Sequence, residues 1–199
     1  MNPATWPGKV VVVDVEGNGA TPPDLVEVAT VDVTATGASP AREWLIRPPA
    51  PIQRRVTRIH GIRNSDVADA PVWEQVAGEV RAALDGAWIV AHSASVEYGT
   101  LTRHLPSWHP EGVIDTLRAG KAVYPDAPAY GLDALINHAE IDVTAIPGKR
   151  HRAGYDAAAT ALLLLALTKH FPTWQELAAA ATPPGLLRTP APPKEATLW

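Results

Sequence analysis

The chain has 199 residues, of which 46% are hydrophobic and 19% charged: enough apolar material to bury a core, and too much for a chain disordered throughout. It carries no cysteine, which excludes disulfides, thiolate metal sites and cysteine nucleophiles and fits a reducing cytoplasm. Its formal net charge of -4 speaks against a protein that coats long nucleic acid through a broad basic surface, but not against one that grips a few nucleotides at an end.

Residues 1–8 hold no basic region followed by an apolar run, so no signal peptide is expected. Val10, Val11, Val12 and Val13 form a β-branched run inside 9–15 that reads as a buried central strand. Gly17, Asn18, Gly19, Pro22 and Pro23 end it in a loop. Residues 25–34 and 42–46 read as a second and third strand, the latter closed by Pro48 and Pro49, giving an antiparallel meander. Over 71–84, Val72, Val76, Val80 and Leu84 fall on one side of a helix. A short strand at 88–91, a helix over 95–105, a strand at 112–114 and a helix through Ala122 follow. Residues 132–138 predict a short helix and 155–170 a long apolar one, whose unbroken run over 157–167 is too short to cross a bilayer. No membrane contact is expected. A last helix covers 173–180 with Thr173 as its cap. From Thr182 on, five prolines leave little room for regular structure. The expected division is a folded domain over 1–181 and a Pro-rich, disordered tail over 182–199. Three strands followed by alternating helices and strands indicate an α/β fold, a mixed sheet flanked by helices.

Three places along this order carry chemistry. Asp14 and Glu16 close the central strand and, with a period of two, project from one face while Val15 points to the other. Side-by-side carboxylates repel each other and resist desolvation, and a hard cation such as Mg²⁺ or Mn²⁺ relieves both problems. Acids bordering a loop are also common, so the pair alone leaves both explanations open. Glu97 falls in the first turn of the helix after Ser93 and Ser95, where an acid is equally at home as a helix-dipole partner. His151 lies in a loop between Gly148 and Gly154, and Asp156 opens the long apolar helix, as a ligand or merely as a cap.

Taken together, Asp-x-Glu on a first strand, an acid opening a middle helix and His-x-x-x-x-Asp before a late helix resemble the DEDDh family of 3′→5′ exonucleases. That family includes ribonuclease T, oligoribonuclease and the proofreading subunit of bacterial replicative polymerases. The likeness extends to Val56–Thr57–Arg58–Ile59–His60–Gly61–Ile62 with Ala70–Pro71, which looks like the family's loop before its first helix. Val113–Ile114–Asp115–Thr116–Leu117 and Tyr130–Gly131–Leu132–Asp133–Ala134–Leu135 also match, so the cover runs from about residue 10 to 167. The chain departs from the family pattern in having Glu97 for Asp, Ser93 for Asn and Gly17 for Thr. Glu97 keeps the charge and reaches one methylene farther.

The resemblance implies a ribonuclease H-like fold and a metal-dependent exonuclease that uses two Mg²⁺ or Mn²⁺ ions. Asp14, Glu16 and Asp156 would hold one ion, with Asp14 bridging to a second that Glu97 supports, and His151 would be the general base. The implied partners are single-stranded DNA or RNA 3′ ends, with DNA slightly favoured. The backbone at Gly17 and Asn18 would meet the terminal sugar, and Ile59 and His60 the terminal base. Arg54, Arg55, Arg58, Arg63, Lys149, Arg150 and Arg152 are candidates for phosphate contacts, about half of them expected only to keep loops soluble. An RNA-processing exoribonuclease would use the same site. A non-catalytic nucleic-acid or polymerase-binding module is disfavoured because all five acid and histidine positions are filled. A regulator that recruits a protein partner through the Pro-rich tail is a further alternative.

Overall fold

The computed structural model describes residues 1–186; the greater part of the expected disordered tail, 187–199, lies outside the described residues. After a short 3₁₀ turn at Pro3–Thr5 come β1 (Val10–Gly17), β2 (Leu25–Thr34), β3 (Gly37–Ala38) and β4 (Arg42–Leu45). Then follow α1 (Arg54–His60), α2 (Trp73–Leu84), β5 (Trp88–Ala91), α3 (Ser95–His104), β6 (Gly112–Asp115) and α4 (Thr116–Val123). The chain continues through α5 (Leu132–His138), α6 (Ala153–Thr168) and α7 (Trp174–Ala181). The sheet runs β3-β2-β1-β5-β6, with β4 also paired to β2. β1 is antiparallel to β2 and parallel to β5, and β5 is parallel to β6, so the sheet is mixed, as the order of elements implies.

The pleat of β1 explains its unbroken valine run. Val10 and Val12 face α6, in a cluster with Ile114, Leu163 and Leu164, while Val11 and Val13 face α2 and α3, among Val80, Leu84, Leu101 and Trp108. A strand buried on both faces has no polar side to alternate with. Each such side chain withdrawn from water contributes about 1.5–3 kcal/mol, which makes β1 a rigid platform for whatever stands at its end. Trp108 and Trp174 are both core residues, and Trp174 stacks edge-to-face with Trp6 and Trp88.

Four local features differ from expectation. Residues 56–62, expected as a loop, lie mostly in α1, whose single buried residue, His60, gives no apolar period to detect. Gly61, at φ 79, ends that helix in a left-handed cap. β3 is a two-residue rung, too short to leave a pattern. α6 starts at Ala153, so Asp156 stands within its first turn instead of opening it. Chain order does not stop packing at residue 181 either: Thr182 and Pro183 are buried, and Leu186 returns to the cluster around Trp108. No helix among the described residues is long and apolar enough to cross a membrane.

Candidate active site

Asp14 and Glu16 occupy the last turns of the pleat in β1, on the face that α6 crosses, and Val15 packs into the opposite layer. α6 brings Asp156 to them: ligand oxygens of Asp14, Glu16 and Asp156 all lie within 4.8 Å of one another. What places α6 there is a pair that composition does not reveal. Glu27 of β2, the register partner of Glu16 and fully buried, accepts from Arg152 Nε at 3.0 and 3.1 Å and from the Ala153 N–H at 2.8 Å. One carboxylate thus satisfies an otherwise orphaned donor of the helix start and pairs the arginine beside it. Breaking a buried pair from one side typically costs about 3–5 kcal/mol. Because the Arg152 side chain remains 34% exposed, Glu27→Ala is expected near the low end, ~3 kcal/mol, in urea denaturation. A loss under ~1 kcal/mol would show that the pair does not hold α6 in place.

The acids are costly to keep charged. Burial pushes Asp14 well above the usual carboxylate range, and the charges of Glu97, Glu16, Asp156 and Glu27 push further. Glu16 is raised to about 8 by burial and by Asp156 and Glu27, with Arg152 and Arg150 opposing. Glu97 is also raised to about 8 by burial; a hydrogen bond from its own backbone opposes, and Asp115 and Glu16 add to the rise. Among the described residues, Glu97 Oε2 is buried without a hydrogen-bond partner. An all-oxygen, desolvated, mutually repelling donor set with an orphaned carboxylate oxygen beside it fits hard divalent cations such as Mg²⁺ or Mn²⁺. Glu97 stands outside the convergent three, reaching Asp14 and Glu16 through its charge.

The start of α3 is pinned from below. Ser93 adopts φ 70, and its N–H donates to Asp115 Oδ1 at 3.0 Å; the same oxygen accepts from Leu117 N at 2.9 Å and so caps α4. Asn tolerates the left-handed region better than Ser, so the residue usual in the family suits this backbone. His92 bonds Thr116 Oγ1 at 3.0 Å through Nδ1 and the Tyr130 carbonyl at 3.0 Å through Nε2, which ties β5 to the segment entering α5. Its ring is a strut, with both nitrogens occupied.

His151 is not brought into the acid cluster. It is exposed at φ 60, and only its backbone N–H engages the site, donating to Asp156 Oδ2 at 3.2 Å. Its basic neighbours are committed elsewhere. Arg152 is bound to Glu27, and Arg150 pairs with Asp156 and Asp133, so neither is free for phosphates in this arrangement. Lys149 reaches across to α1, where a Cβ on Gly61 would stand 2.7 Å from its Nζ. Arg55 donates to the Gly19 carbonyl and, at 2.9 Å, to Gln53.

The expected substrate-facing residues divide into walls and surface. A Cβ on Gly17 would stand 2.9 Å from Pro23 Cβ, so Thr, usual in the family here, has no room. Asn18 is buried and its groups are taken: Oδ1 accepts from Ala20 N and Asp24 N at 3.0 Å, and Nδ2 donates to Asp24 Oδ2 at 2.8 Å. Its backbone N–H and C=O bond Asp24 and Gln53. His60 is buried too, with Nδ1 accepting from Ile62 N at 3.0 Å; burial lowers its pKa, against the opposing Gly17 carbonyl and Glu27 charge. Asn18 and His60 therefore shape the loop around Gly17 from behind. Ile59 is 55% exposed. Val96, in the first turn of α3 next to Glu97, is 60% exposed.

The family model described as Exonuclease matches residues 11–164. Among curated proteins, DNA polymerase III PolC-type of Bacillus subtilis (strain 168) is 32% identical over 168 residues, which are 80% of this chain and 11% of that protein. The PolC-type polymerase of Caldanaerobacter subterraneus subsp. tengcongensis is 29% identical over 81% of this chain and 12% of its own length. The chain therefore spans about one-ninth of these relatives. Among solved structures, Exonuclease X in complex with 5′ overhanging duplex DNA is 30% identical with a TM-score of 0.73, covering 86% of this chain and 98% of that one. A 3′-exonuclease recognising the 3′ end of a histone mRNA stem-loop shares the fold at 13% identity and a TM-score of 0.66, over 82% of each chain.

Proposed function

The chain belongs to the exonuclease family, as a 3′→5′ exonuclease of the DEDDh type on a ribonuclease H-like fold, and from that premise we propose that it removes nucleotides stepwise from single-stranded 3′ ends, DNA before RNA, by a two-metal reaction with His151 as general base. The observation that carries this is the convergence of Asp14, Glu16 and Asp156 within 4.8 Å at the end of a buried strand, with Glu97 adjoining. Those four carboxylates would hold two Mg²⁺ or Mn²⁺ ions, Asp14 serving both. Ions so placed supply activation of a water and stabilisation of the leaving oxygen.

The rest falls to the chain itself. Asp14, Glu16 and Asp156 would hold the ions on one side of β1 where the scissile phosphate approaches, and the narrow turn at Gly17 would meet the terminal sugar. Ile59 and Val96, both exposed, flank the bases. His151 takes a proton from the attacking water, which requires its loop to turn inward once substrate is seated. The likeness to Exonuclease X, whose structure holds duplex DNA with a 5′ overhang, and to PolC-type DNA polymerases supports DNA over RNA. A protein partner through the Pro-rich tail, 182–199, is a separate proposal, testable by truncation after Leu186, which spares the packed Thr182, Pro183 and Leu186.

The deciding experiment is a time course with Mg²⁺, Mn²⁺ or chelator on 5′-labelled DNA and RNA strands bearing a 3′-hydroxyl or a 3′-phosphate, plus a circular single strand. Hydroxyl ends should shorten stepwise to mononucleotides, and phosphate ends should resist because the extra charge meets the Asp14–Glu16 carboxylates. With roughly two to four phosphate contacts, log affinity should fall with log salt at a slope of only about -1.5 to -3. Cutting of the circle, or full activity in chelator, would sink the proposal; faster cutting of RNA would reverse the substrate preference.

A further inference from the structure

The cation in direct contact with the acid cluster is one of the protein's own. Arg150 Nη1 pairs with Asp156 Oδ1, and its Nε forms an ion pair with Asp133 Oδ1, in the first turn of α5. Asp156 Oδ2 in turn accepts the His151 N–H. Both oxygens of Asp156 are thus held by two consecutive residues of the loop that carries the proposed base.

This arrangement conflicts with metal binding. Asp156 is one of the three residues whose oxygens converge. A guanidinium and a divalent cation at the same carboxylate repel each other and compete for the same lone pairs. The backbone shows a second tension: His151 is held at φ 60. For a side-chain-bearing residue the left-handed region is unfavourable and persists only where the surroundings hold it. Among the described residues, the contacts that hold 150–152 include Arg150 on Asp133 and Asp156, the His151 N–H on Asp156, and Arg152 on Glu27.

We infer that Arg150 is a resident counter-ion for Asp156, tethered at Asp133, which gives way when divalent ions enter and thereby releases the His151 loop to turn inward. Entry of metal and mobilisation of the base are then one event. This rests on the metal-dependent reading of the acid cluster but not on any choice between DNA and RNA.

Manganese calorimetry on the wild type, Arg150→Gln and Arg150→Lys tests it, with amide hydrogen exchange over 148–152 as a second readout. Removing a competing cation should tighten Mn²⁺ binding about tenfold in the Gln variant. A general field effect predicts the same direction, so the Lys variant decides. Lysine keeps the charge but lacks a fork able to span two carboxylates, and Mn²⁺ should bind it several-fold more tightly than wild type. Exchange over 148–152 should quicken on adding Mn²⁺ to the wild type and be fast without metal in both variants. Wild-type affinity in the Lys variant, weaker binding in the Gln variant, or exchange in the wild type that Mn²⁺ leaves unchanged would each overturn the inference. Absence of Mn²⁺ binding by the wild type would defeat the metal assignment as well; metal-dependent hydrolysis with unaltered variants would defeat this inference alone.

Discussion

Asp14→Asn is expected to abolish detectable hydrolysis at saturating Mg²⁺ and to weaken Mn²⁺ binding, while making the protein more resistant to heat in chelator. The first two effects follow if Asp14 serves both ions. The third follows from its surroundings: burial and four nearby acids raise its pKa well above the unfolded value. An acid whose folded pKa is raised binds more protons folded than unfolded. Its contribution to stability is then fully present below the unfolded pKa and is lost as pH climbs through the folded one. Glu16 and Glu97, raised from 4.5 to about 8, set the window for the cluster. Metal-free wild type should therefore lose stability from about pH 4.5 to 8, and the Asn variant should lose less. The gap in melting temperature should be widest near pH 8 and close toward pH 4. Near-normal turnover in Asp14→Asn, or a variant less stable than wild type at pH 8, would show that Asp14 is not the centre of the site.

His151→Ala should produce the second-largest effect, with a different signature. Loss of a general base costs about 10²–10⁴ in rate. The imidazole makes no hydrogen bond among the described residues and stands outside the convergent acids. Mn²⁺ affinity should stay close to wild type, and the acidic limb of the rate profile should vanish. Because His151 sits at φ 60, alanine also strains the backbone there, and His151→Asn, which accepts that region, is the needed companion. Equal losses in Ala and Asn assign the defect to chemistry; recovery in Asn assigns it to the loop. If His60→Ala or His92→Ala costs as much and His151→Ala little, the base has been misassigned.

How much of this was legible beforehand depends on whether a feature is local. Val10 through Val13 announce a central strand because burial on both faces demands an apolar run, and the Asp14–Glu16 face follows from the pleat alone. Strands and helices with a buried stripe, such as α2 and β5, are found within a residue or two. α1 escapes because an arginine-rich helix resting on one buried histidine has no period. The fates of Asn18, Arg150 and Arg152 escape for another reason: each is decided by a partner distant in the chain or by the closing of a loop. Arg152 and Glu27 are 125 residues apart. No spacing rule tells a phosphate-binding arginine from one already paired to a buried glutamate. The absence of a side chain at Gly17 becomes intelligible only once Pro23 is seen filling the space.

The outline of the sheet has a consequence for behaviour in concentrated solution. One edge is divided between β3, two residues long, and β4, four residues long, both hydrogen-bonded to β2 instead of to each other. At the opposite edge every residue of β6 is buried, with α7 against it. Growth of a fibril by strand addition needs a long, flat, uncovered row of unpaired amides, and neither margin provides one. The valine-rich centre of this protein, hazardous if it ever stood at a border, is shielded on each side by strands too short or too covered to recruit a neighbour.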